Sequence, residues 1–191
     1  MAGDVRERMV DGAMALLARR GLQATSFSEV LSATGAPRGS LYHHFPQGKD
    51  QLVTAAVERA SAVLLSAMGT VAGAPAEAVV ERFLAVWRVV LTQSHCEAGC
   101  AVLAVTVDAE SSQQLTLVSV VFRGWRNRLA ELLAQGGLSK VQARNFATVL
   151  IASVEGAVVL SRADQSLEPF ETVARHLTND LRALRPDGSR A

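Results

Sequence analysis

Five residues within six positions, Arg38, Gly39, Ser40, Tyr42 and His43, carry the groups that nucleic acid recognition requires. A guanidinium at 38 can donate to a phosphate, or bidentately to guanine O6 and N7 in the major groove. The hydroxyls of Ser40 and Tyr42 suit phosphate oxygens, and His43 suits a base edge or a thymine methyl. Gly39 would let a backbone come close to the duplex. Upstream, Thr25 and Ser26 stand where helical N–H groups can hold a phosphate, and Lys49 downstream can hold a flanking one. His44, next to the set, is better suited to packing against the first helix.

Two other groups of residues invite chemistry. Cys96 and Cys100, with His95 beside them, could supply thiol or imidazole ligands, with Asp108 or Glu110 as a fourth, or could sense oxidants. Thiols four apart on a helix are also ordinary small core residues, so no metal is assigned. Phe83, Trp87, Phe122 and Trp125, with Met68, Cys100 and Leu103, could wall an apolar cavity between the fourth and seventh helices. Arg123, Asp108 and Glu155 are its candidate polar groups. Aromatic stripes at helical spacing are also what a plain core looks like. Catalysis has no foothold: HExxH, GxxxxGK[ST], GxSxG and Gly-rich dinucleotide patterns are all missing, and the four histidines lack a nucleophile at a telling spacing. The chain reads as a non-enzyme without cofactors.

The elements that position the first set are legible. Ser26 can cap a short helix whose apolar Phe27, Val30 and Leu31 recur at helical spacing, ending at Gly35. Pro37 fits the first turn of a second helix that buries Leu41 and Phe45 and turns Arg38 to His44 outward. Asp4 can cap a preceding helix over 4–20 with Val5, Met9, Ala13, Leu16 and Leu17 on one face. A small three-helix unit burying Leu16, Phe27, Val30, Leu31, Leu41 and Phe45 follows, with the third helix entering the major groove. Beyond it the pattern predicts a helix over about 48–70 (Leu52, Val53, Ala56, Val57, Ala60, Val63, Leu64), one to about Gln93, a buried one over 101–107, and three longer ones. Those three carry Leu115 to Leu132, Phe146, Val149 and Leu150 to Val158, and Phe170, Val173, Leu177, Leu181 and Leu184. The fold class is all-α, divided at residue 50.

Thr25 and the run Gly35-Ala36-Pro37-Arg38-Gly39-Ser40-Leu41-Tyr42-His43-His44-Phe45, followed by Lys49, resemble the signature of the TetR-type transcriptional repressors. The wording, with Cys96-Glu97-Ala98-Gly99-Cys100 downstream, is similar to the subgroup of lincomycin-resistance and flavonoid-responsive repressors. Pro37 departs from the Ser or Thr many members carry there, and the Phe45–Lys49 spacing is one residue longer than the commoner form. The resemblance implies a homodimer paired through the last two long helices, a palindromic double-stranded DNA operator, and release by an apolar small-molecule effector that moves the fourth helix. The alternatives are a metal- or thiol-sensing regulator using Cys96 and Cys100, and a helical protein-interaction module.

Composition sets bounds rather than function. The 191 residues are 49% hydrophobic and 19% charged, enough to bury a sizeable core. Net charge is +1 overall, and residues 1–50 hold six basic against five acidic side chains. DNA affinity must therefore come from the placement of charge, doubled in a dimer. The N-terminus lacks the uninterrupted apolar stretch of a signal peptide, and no window approaches the roughly 18 apolar residues of a membrane span. The expected location is the cytoplasm, without membrane partners.

Overall fold

The computed structural model describes residues 2–184, with side chains from residue 5 onward. Among these residues the chain forms helices only: α1 (Ala2–Arg20), α2 (Phe27–Thr34), α3 (Arg38–His44), α4 (Lys49–Gly69), α5 (Ala76–Gln93), α6 (Ala101–Val107), α7 (Ser112–Gln135), α8 (Lys140–Asp164) and α9 (Glu168–Ala183). The Asp4 cap lies outside the described side chains. The all-α expectation and the helical reading of the apolar run 101–107 hold.

Two compact units result. One is built from the chain up to Val63 together with Ala98–Val121, the other from Leu64–Glu97 and the chain from Phe122 onward. In the first, Met9, Val10, Ala13, Leu16 and Leu17 of α1 are buried, as are Val30, Leu41 and Phe45. Burying a side chain the size of Phe45 contributes about 2–3 kcal/mol. Phe27 and Leu31, expected in this core, are only half-buried. On α4, Leu52, Val53, Ala56 and Val57 face inward, but Ala60 is half-buried and Val63 is exposed. Arg59 of α4 pairs with Glu7 and Asp11 of α1.

The second unit is organised by α5, α8 and α9. Phe83, Leu84 and Leu91 of α5, Leu150, Val154 and Val158 of α8, and Phe170, Leu177 and Leu181 of α9 are buried. Ser139 and Gln142 form a reciprocal capping box at the start of α8. The buried Ser161 hydroxyl accepts the Phe170 N–H at 3.1 Å, fixing the entry to α9. Arg88 of α5 grips Glu171 of α9 with two bonds, 2.6 and 3.1 Å. The Arg88 hydrogen bond holds the Glu171 carboxyl below its ordinary pKa, and the same bond raises that of Arg88.

Two sequence expectations change here. Leu115 of α7 and Val149 of α8 were read as core and are exposed. The apolar side of α9 packs within the unit, and its outer side carries Arg175, His176, Asp180 and Arg182. Finally, α4 and α8 are long and apolar enough to cross a membrane by length and composition, contrary to the reading that no window approaches this. Half of the α8 window is buried inside the fold, as in the core helix of a globular protein.

Candidate nucleic-acid interface

Local chemistry builds α2 and α3 as expected. The Ser26 hydroxyl accepts the Glu29 N–H at 3.2 Å, a cap that contributes about 1 kcal/mol. Gly35 ends α2 in the left-handed conformation, φ +63°, with its N–H on the Leu31 carbonyl; a side chain there would strain the backbone. Pro37 occupies the N-cap of α3 rather than its first turn, with φ −62°, ψ 138° and no side-chain cap. A prolyl side chain has no hydroxyl to offer, so the Ser40 N–H turns to the Pro37 carbonyl at 3.0 Å.

The outward face of α3 makes few contacts with its own chain among the described residues. Arg38 is exposed and has no ion pair or hydrogen bond among the described residues. A Cβ added at Gly39 would meet no atom within 4 Å, so no contact inside the chain requires glycine there. Tyr42 is 67% exposed, its ring edge-on to Phe27 at 6.3 Å rather than against α1. His43 is exposed and His44 half-buried, their rings 5.0 Å apart. Ser40 is half-buried, and Ser26 shares its hydroxyl with Ser28 at 2.8 Å.

Thr25 and Lys49 are placed differently from this exposed set. Thr25 is 1% exposed, and its hydroxyl donates to the Gly21 carbonyl at 2.8 Å. The Lys49 ammonium donates to the Leu22 carbonyl at 2.8 Å. Both side chains hold the α1–α2 turn in place. The physical reason is that this turn leaves carbonyls beyond the end of α1 that need donors.

Sequence reasoning missed what finishes that turn. Asp108, the C-cap residue of α6, accepts the Leu22 N–H at 3.1 Å, and Glu110 accepts from Gln23 at 2.6 Å. Both carboxylates had been considered for a metal set with the cysteines. Among the described residues no group of three metal-ligating side chains forms. Cys96 and Cys100 are buried and are not joined in a disulfide. Cys100 instead caps α6, its Sγ accepting the Leu103 N–H at 3.3 Å. The chain leaves α5 through left-handed His95 and Cys96, φ 52° and 60°, a turn no glycine announces.

The candidate effector residues fall in both compact units. Met68, Phe83, Trp87 and Trp125 are buried and Phe122 half-buried in the second, where Phe122 and Trp125 meet edge-to-face at 5.3 Å. Cys100 is buried and Leu103 half-buried in the first. Trp87 is 6% exposed, and its indole N–H has no acceptor. Of the polar candidates, Glu155 is buried on α8, Arg123 is exposed, and Asp108 is turned to Leu22.

Residues 9–56 match the family model described as bacterial regulatory proteins, tetR family, and residues 75–176 match the LmrA/YxaF-like transcriptional regulator C-terminal domain. The second match alone spans more than half of the chain. The chain belongs to the TetR family of transcriptional regulators. It is 34% identical over 97% of its length, and 98% of the relative's, to the helix-turn-helix regulator Rv0196 of Mycobacterium tuberculosis. It is 27% identical to the regulator LmrA of Bacillus subtilis, covering 88% of this chain and 92% of that one. A TetR transcriptional regulator from Chloroflexus aurantiacus superposes with a TM-score of 0.75 at 27% identity, covering 95% of this chain and 96% of that one. As a TetR-family member the chain is a regulator rather than an enzyme, and its N-terminal helices are the family's DNA-binding element.

Proposed function

We propose that this TetR-family chain is a cytoplasmic repressor that binds a palindromic operator as a homodimer and is released by a small apolar effector. Residues 1–50 would read DNA, and residues 51–191 would bind effector and dimerise. The observation that carries the reading is the exposed face of α3, where Arg38, Gly39, Tyr42 and His43 are open to solvent. Arg38 and His43 are assigned to base edges, Ser40 and Tyr42 to phosphates, and Gly39 to close approach. Ser26 offers the start of α2 to a phosphate. Thr25 and Lys49 are assigned to holding the turn, and Lys49 also to a phosphate flanking the site.

Dimerisation is supported by α8. Its outer side leaves Val141, Val149, Val159 and Leu160 exposed, between 50% and 70%, on a helix whose opposite side is already buried. Gly156 lies on the same outer side, and a Cβ there would touch nothing within 4 Å, so close approach of a second copy is open to it. Charged residues are few on this stripe, and an exposed apolar stripe of this length marks an association surface. α9, whose outer side is polar, would contribute at the rim.

For the effector, Met68, Phe83, Trp87, Phe122 and Trp125 of the second unit would supply apolar and aromatic walls. A buried indole N–H without an acceptor costs about 1–3 kcal/mol. An effector with a carbonyl, ether or phenolic oxygen would satisfy Trp87, so the ligand class is an apolar body with one acceptor. Release would follow when the effector displaces α4 and the two reading heads no longer match successive grooves. The test is fluorescence anisotropy with the DNA upstream of the chain's own gene against a scrambled duplex. Sequence-selective binding with a steep salt dependence supports the reading; equal effector affinity with and without operator removes the release mechanism, because the coupling is reciprocal.

A further inference from the structure

The last turn of α1 is completed by residues from both sides of α6. Helix ends leave carbonyls and N–H groups without intrahelical partners. Here the Ala18 carbonyl receives the Gly99 N–H at 2.8 Å, and the Leu22 N–H reaches the Asp108 carboxylate at 3.1 Å. Gly99 precedes α6 and Asp108 caps its C-terminal end, so this seven-residue helix is fastened to α1 at one end and to the turn that follows α1 at the other. The Leu22 carbonyl in turn receives the Lys49 ammonium from the head of α4 and the Thr25 N–H. One residue, Leu22, therefore has its N–H held from α6 and its carbonyl held from α4. Gly21 fits this closeness: at φ +80° a Cβ would lie 2.9 Å from the Asp108 carboxylate oxygen. Gln23–Glu110 and Gln114–Asp50 add weaker exposed ties between the same segments.

We infer that Asp108 is a positioning residue for DNA reading: through the Leu22 N–H it makes α6 part of the reading head and sets the orientation of α2 and α3. This rests on the reading of the chain as a DNA-binding regulator, and adds a second lever to α4. A displacement of α6 loosens the N–H arm of the latch, and a displacement of α4 loosens the carbonyl arm. The two arms respond to different helices but act on one turn, directly ahead of Ser26 and α2.

The latch is tested on the whole chain without any ligand by amide exchange, and with DNA by anisotropy. In the unaltered protein the Leu22 amide should exchange more than tenfold slower than those of exposed Gln23 and Ala24, since a hydrogen bond to a charged group is worth about 1.5–3 kcal/mol. Asp108→Ala should erase that protection and weaken operator binding about tenfold. Asp108→Asn keeps an acceptor oxygen and should restore both to within about threefold of the original. Fast Leu22 exchange in the unaltered chain, or an Asp108→Ala variant that binds operator undiminished, overturns the inference. If the unaltered chain selects no duplex at all, the DNA-reading assignment falls, and the exchange data still decide whether the latch exists.

Discussion

The outer faces of α3 and α8 are both left uncovered by their own chain, and their chemistry is opposite. On α3 the exposed groups are a guanidinium, a phenol, an imidazole and a bare glycine, on a helix seated by only two fully buried side chains, Leu41 and Phe45 at its cap. On α8 they are mostly valines, a leucine, alanines and Gly156, with Arg144, Asn145 and Thr148 among them and Lys140 and Asp164 at the ends, on a helix whose other side is already packed with Phe146, Leu150, Val154 and Val158. A polar face with unspent donors suits a hydrated, charged partner. An apolar face is stable in water only when a similar face covers it. The difference teaches that exposure alone does not identify a site, and that the groups exposed name the kind of partner.

Substitutions that reverse each face test this contrast. The largest effect is expected from Val149→Glu with Leu160→Glu. Both positions are half exposed, so the single chain should keep its helicity. The dimer should weaken by on the order of 2–4 kcal/mol, read as a monomer in sedimentation, and operator affinity should fall with it. Persistence of a dimer would place the association surface elsewhere. Arg38→Ala comes next, with operator affinity reduced about 10- to 100-fold and the melting temperature unchanged.

Gly39→Ala sharpens the comparison because its two effects have opposite signs. No contact in the chain needs glycine at 39, so alanine in α3 should stabilise the fold by about 0.5–1 kcal/mol. Operator binding should nevertheless weaken, as the methyl group occupies the approach to the duplex. A variant that is more stable and binds equally well would deny close approach at this position.

The smallest effect is expected away from both faces. Glu171→Gln should cost about 0.5–1 kcal/mol in thermal stability, discounted for the partial exposure of the Arg88 pair. The depressed carboxyl pKa means this contribution is present above the ordinary value of 4.5 and lost as pH falls through the folded-state value. The gap between the two proteins should therefore close in acid, with DNA binding at neutral pH unaltered.

The parts of this molecule legible in the sequence are those fixed by local chemistry. Ser26, Gly35 and Pro37 mark the ends of α2 and α3 because caps and left-handed residues act within a few positions. The helices beyond are legible from periodicity. What periodicity does not reveal is who covers an apolar stripe: Val63, Leu115 and Val149 fit the helical spacing of a core and face outward. Asp108 was invisible as the partner of Leu22, since 86 positions separate them and a lone carboxylate near two cysteines suggests a ligand more readily than a cap. Thr25 and Lys49 matched a DNA-contact signature by type and spacing, but only the fold reveals that their polar atoms serve the α1–α2 turn.

The most direct test of the account is selection of bound duplexes from a random DNA library by the unaltered chain, repeated with Arg38→Ala. The account predicts enrichment of an inverted repeat whose half-sites lie about one helical turn or slightly more apart, and its loss in the variant. Enrichment of no motif by an intact dimer, or of the same motif by both proteins, would contradict the claim that the exposed face of α3 reads DNA.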